Sequence, residues 1–122
     1  MKQLWTSIFV KDMDESVKFY TEVLKLEINH KAKSDGYQMV FLGKGETKFE
    51  LLLNPNLGDV SYTGYGSTGF EVDSLDDYIK LLDEKGIKII EGPIEPTPFI
   101  KFLFIHDPNG YKIQLVEQKE RS

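Results

Sequence analysis

Two stretches of this chain decide its fold: IFVKDMDESVKFYTEVLKLEI at residues 8–28 and FEVDSLDDYIKLLDEKGIKI at residues 70–89. In the first, apolar alternation over Leu4 to Val10 gives way at Asp12 to a spacing near 3.6, carried by Met13, Val17, Tyr20 and Leu24. A strand followed by a helix is expected, with Asp12 as N-cap and Glu15 three residues on as its capping-box partner. The second stretch repeats this order: a strand at Thr68 to Val72, then a helix from Ser74 to Lys85 closed by Gly86. Val10 and Val72, Asp14 and Asp76, Lys18 and Lys80, and Glu22 and Glu84 all lie 62 residues apart.

Outward from these stretches the extended segments also repeat. Leu26 to Lys33, Tyr37 to Leu42 and Thr47 to Asn54 follow the first helix; Ile87 to Glu91, Phe99 to Ile105 and Tyr111 to Glu117 follow the second. Asp107-Pro108-Asn109-Gly110 supplies the turn before the last strand. The segment from Glu91 to Pro98, with three prolines in six residues, reads as an irregular loop, either a lid or a plain connector. Matching order in both halves implies duplication of one β-α-β-β-β unit within one α+β domain over 1–122, module 1 covering about 1–56 and module 2 about 64–118.

Composition narrows function. The 122 residues are 40% hydrophobic and contain no cysteine, which excludes disulfides, thiolate metal sites and cysteine nucleophiles. No apolar run reaches the roughly 18 residues of a membrane span, and the first residues lack a secretory pattern, so a cytoplasmic location is expected. With 15 basic and 20 acidic residues the net charge is −5, which disfavours nucleic acid and anionic membrane surfaces as partners. Glycine-rich nucleotide motifs, Gly-x-Ser-x-Gly and HExxH are absent.

The first stretch, with the closing FLFIHDPNGYKIQLVEQ at residues 102–118, resembles the two signatures of the vicinal oxygen chelate superfamily, which includes glyoxalase I, bleomycin-resistance proteins and extradiol dioxygenases. The resemblance covers nearly the whole chain and implies paired βαβββ modules forming an open, cup-shaped mixed sheet around a small-molecule site. Metal-dependent members that resemble this sequence carry four ligands, at positions matching Trp5, Glu50, Ser67 and Gln114 here. Only Glu50 keeps a family ligand type. Indole has no lone pair to donate, and hydroxyl and carboxamide are weak neutral donors, so no metal and no other cofactor is expected, a divalent metal being the alternative. His30 and His106 match no family ligand position and read as rim residues near strand ends.

The remaining groups suit an organic molecule held by stacking and hydrogen bonds. Strand alternation adds Ser7 to the face of Trp5, and Lys112 to that of Gln114, so the expected ligand-binding set is Trp5, Ser7, Glu50, Ser67, Lys112 and Gln114. Plain core filling is the alternative for Trp5. Glu50, within the apolar run FELLL, is the candidate general base; a structural ion pair with Lys112 or Lys101 is its alternative. The expected protein is a glyoxalase and bleomycin-resistance-like homodimer that binds a small organic ligand at an incomplete metal site. The rivals are a glyoxalase I-like lyase or isomerase of the lactoylglutathione lyase class with a degenerate site, and a regulatory or interaction module without ligand chemistry.

Overall fold

The computed structural model describes residues 1–45, 47–58, 60–62 and 66–119. Two compact units divide the chain, Met1–Ser61 and Tyr62–Ser122. In the first, β1 (Trp5–Phe9) leads to α1 (Met13–Lys18), then β2 (Ile28–Ser34), β3 (Tyr37–Leu42) and β4 (Lys48–Leu53). In the second, β5 (Ser67–Glu71) leads to α2 (Leu75–Glu84), then β6 (Glu91–Thr97), β7 (Ile100–His106) and β8 (Lys112–Gln118). Each unit builds one four-stranded mixed sheet, in the orders β1-β4-β3-β2 and β5-β8-β7-β6. The first and last strands of each unit run parallel and the remaining neighbours antiparallel. This repeated α+β arrangement is the one the duplicated pattern implied.

Local chemistry explains the helices. The Asp12 carboxylate accepts from the Glu15 amide at 3.0 Å, and the Ser74 hydroxyl accepts from the Asp77 amide at 3.2 Å, so each helix begins at its expected cap. A second acceptor serves α2: Glu117 on β8 takes the Leu75 amide at 2.8 Å. Beyond α1 the chain continues as a wider π-helical turn over Phe19–Val23, closed by Leu24 donating to the Phe19 carbonyl. A left-handed residue then ends each helix: Lys25 at φ 61° in the first unit and Gly86 at φ 69° in the second.

Each core lies between helix and sheet. Tyr20 is fully buried, with its ring 5.1 Å from that of Phe49 on β4, and Leu51 beside it is equally buried. Leu75, Leu82, Leu103, Ile113 and Leu115 fill the matching place in the second unit.

One expectation fails outright. Glu91 to Thr97 forms strand β6, whereas Ile87 to Ile90 precedes it outside any strand. Proline removes a donor, but β6 is an edge strand and needs only one line of hydrogen bonds. It pairs with β7 at Glu91, Ile94 and Thr97, with register shifts between them that accommodate the prolines. The segment is therefore neither a lid nor an irregular connector.

Candidate functional site

In the first unit, β4 runs parallel to β1 with Ser7 opposite Glu50, and antiparallel to β3 with Phe41 opposite Glu50. Phe49 and Leu51 point toward the helix, so alternation turns Glu50 to the other face, together with Trp5, Ser7 and Phe9 of β1. On that face Glu50 is 7% exposed, and the Ser7 hydroxyl donates to its Oε1 at 2.5 Å. Trp5, 47% exposed, packs edge-on against Phe41 with ring centroids 5.2 Å apart. Its exposure in the chain removes the core-filling alternative. His30, the third residue of β2, lies beside the same Phe41 ring at 6.3 Å. The result is a largely aromatic face around one buried carboxylate.

The second unit repeats the layout with different groups. Gly69 takes the place opposite Gln114 that Ser7 takes opposite Glu50. A Cβ at Gly69 would lie 3.2 Å from the Gln114 amide oxygen, so the missing side chain leaves room for the carboxamide. Ser67 opens β5, exposed, opposite Lys112. The Lys112 ammonium stands 4.2 Å above the Phe104 ring and 3.5 Å from Glu91. Phe104 is opposite Gln114 as Phe41 is opposite Glu50.

The six expected ligand-binding residues thus fall into two sets, Trp5, Ser7 and Glu50 in one unit and Ser67, Lys112 and Gln114 in the other. The ion pair considered for Glu50 does not form among the described residues, because Lys112 pairs with Glu91 and Lys101 with Asp76 at 3.6 Å. Phe41, Phe104 and Glu91 were missed. The two phenylalanines, 63 residues apart, were visible in the repeat, but their place beside the site depends on strand order.

The tight turn before β8 sets the position of Lys112. Asp107, 5% exposed, accepts from the Asn109 and Tyr111 amides, both at 2.8 Å. Gly110 has φ 84°, and a Cβ there would lie 3.1 Å from the Tyr62 carbonyl oxygen, so both backbone shape and space require glycine.

Comparison with known proteins accords with this fold. The model of the Glyoxalase/Bleomycin resistance protein/Dioxygenase superfamily matches residues 2–115. A lactoylglutathione lyase of Escherichia coli O157:H7 is 30% identical over 98% of this chain and 95% of its own length. A probable chloroplastic lactoylglutathione lyase of Arabidopsis thaliana is 35% identical over 89% of this chain, which spans only 33% of that longer protein. Among solved structures, glyoxalase I of Leishmania major superposes with a TM-score of 0.81 at 30% identity, covering 96% of this chain and 86% of its own.

These relatives correct one expectation. The substituted positions led to the expectation of no cofactor, but the likeness is to lactoylglutathione lyases and glyoxalase I, the metal-dependent branch of the family, and the expectation of none does not stand. Trp5, Glu50, Ser67 and Gln114, the positions expected to match the family's ligands, offer one carboxylate, one hydroxyl and one carboxamide, fewer charged or imidazole groups than a tight divalent site uses. Among the described residues no three His, Asp or Glu side chains gather into a further metal-holding cluster. From the match over residues 2–115 and the repeated sheet beneath it, the chain belongs to the glyoxalase, bleomycin resistance protein and dioxygenase superfamily.

Proposed function

We propose that this glyoxalase-like chain takes a small organic molecule onto the face that carries Trp5, Ser7 and Glu50, with Ser67, Lys112 and Gln114 as the ligand-binding groups of the second unit. The observation that carries the reading is the Ser7–Glu50 pair, a nearly buried carboxylate held by one hydroxyl on an otherwise aromatic face. Ser7 fixes Oε1 and leaves Oε2 for the ligand, while the Trp5 and Phe41 rings offer apolar contact. The single tryptophan reports binding directly. Titration with S-lactoylglutathione should quench its fluorescence saturably, and Glu50→Gln should weaken that binding by about tenfold. No saturable quenching, or equal affinity in both proteins, sinks the reading.

A second reading, lactoylglutathione lyase-like chemistry, is favoured by the 30% identity over nearly full length. Glu50 is then the base that takes a proton from the substrate carbon and returns it to the neighbouring one. Appearance of S-lactoylglutathione from methylglyoxal and glutathione, measured with and without added nickel or zinc, tests it. Product formed no faster than in buffer under every metal condition rejects it.

The two modules are proposed to act as one domain and the chain as a cytoplasmic homodimer. Sedimentation at micromolar concentration should give about twice 14.0 kDa; a monomer refutes the dimer.

A further inference from the structure

The second unit holds a cavity of about 590 Å³, lined by Tyr62, Ile90, Glu91, His106, Tyr111 and Lys112, within the size range of small-molecule sites. Tyr62 and Tyr111 meet edge-on with ring centroids 5.3 Å apart. The Tyr111 hydroxyl shares a 2.6 Å hydrogen bond with Thr68, which holds its ring in place. Ile90 adds an exposed aliphatic wall. The cavity's cation is Lys112, aimed by the Phe104 ring and, among the described residues, paired with a half-exposed Glu91. Such a partly solvated pair is weak and exchanges readily for a better-placed anion. His106 is the cross-strand partner of Lys112, so its imidazole adds a second polar group on the same face.

We infer that this cavity binds a monocarboxylate carried on a flat apolar body, the Lys112 ammonium taking the carboxylate in place of Glu91. Charge selects the class. One ammonium matches one negative charge, while a dianion such as phosphate brings a second charge against the nearby Glu91. The Tyr62 and Tyr111 rings and the Ile90 side chain select an apolar body, and aromatic side chains reward a planar one. The inference rests on the reading that the chain binds a small organic molecule and names the chemistry of that molecule's charged end.

Calorimetric titration with 2-naphthoate, its neutral analogue 2-naphthamide and inorganic phosphate tests it on the intact chain. Wild type should bind the carboxylate about tenfold or more tightly than the amide. Lys112→Met should erase that preference while leaving the amide unchanged, and Glu91→Gln should strengthen carboxylate binding about threefold by removing the internal competitor. The inference is overturned by equal affinity for the two probes, by no binding of either, by phosphate binding as tightly as naphthoate, or by a preference that survives Lys112→Met. Should Lys112→Met fail to fold, a Glu91→Gln protein with unchanged or weakened carboxylate affinity overturns it instead. Saturable tryptophan quenching by S-lactoylglutathione, retained when the naphthyl probes show no discrimination, leaves the broader reading standing and removes only this one.

Discussion

Replacing Glu50 by glutamine isolates the charge of the carboxylate buried on the sheet face opposite the helix in the first unit. Glu50 is 7% exposed, accepts from Ser7, and pairs with no lysine or arginine among the described residues. Two effects oppose each other. A hydrogen bond to an ionised acceptor contributes about 1.5–3 kcal/mol and a neutral one about 0.5–1.5, so the exchange weakens the Ser7 contact by about 1 kcal/mol. Against this, an ionised group withdrawn from water without a cation costs several kcal/mol after relaxation, and glutamine recovers part of that. The expected net change runs from about zero to about 1 kcal/mol of added stability. At about 4 °C per kcal/mol for a chain of this size, the melting temperature stays level or rises by up to about 4 °C. Had Glu50 neutralised a buried lysine, its loss would cost about 3–5 kcal/mol, a fall of about 12–20 °C. Thermal unfolding followed by circular dichroism reads this difference directly. Ser7→Ala, made alone and in the Glu50→Gln background, completes the cycle and should cost about 1 kcal/mol less in the second background. A fall of more than about 10 °C for Glu50→Gln, or equal Ser7→Ala costs in both backgrounds, would refute the reasoning.

Three further substitutions probe the scaffold that carries the site. Leu115→Ala removes a fully buried side chain on the central strand β8 and should cost about 2–5 kcal/mol in urea unfolding; under about 1 kcal/mol would mean the second core is not packed as described. Gly110→Ala forces a Cβ into a left-handed residue 3.1 Å from the Tyr62 carbonyl oxygen, so it should cost more than about 1 kcal/mol. An equally stable variant contradicts that turn. Ser74→Ala removes the cap of α2, but Glu117 still accepts the Leu75 amide, so the loss should sit near the low end of the range for caps, about 0.5–1 kcal/mol. A loss above about 2 kcal/mol would show that the Glu117 contact gives no cover.

Much of the architecture was legible because its signals are local. Alternation marked β1, the 3.6-residue spacing marked both helices, and Asp12 and Ser74 announced their starts, since capping acts within three residues. The 62-residue repeat carried the topology from one half to the other. Strand β6 was lost because proline content argues against a strand only where both edges must pair, and edge position is not written in the segment itself.

The candidate site divides along the same line. By itself the sequence determined which residues share a strand face with Trp5, Glu50 and Gln114, because side-chain alternation is a property of each strand alone. Which partner satisfies Glu50 was beyond it: Lys101, Lys112 and a bound ligand were all chemically acceptable. Only the tertiary structure decided for Ser7, because the parallel pairing of β1 with β4 sets Ser7 opposite Glu50 across 43 residues of chain. The same holds for Lys112, which Glu91 and the Phe104 ring claim from neighbouring strands. A buried charge takes the partner that the strand register brings within about 3 Å, and that register is set by packing the whole sheet against its helix.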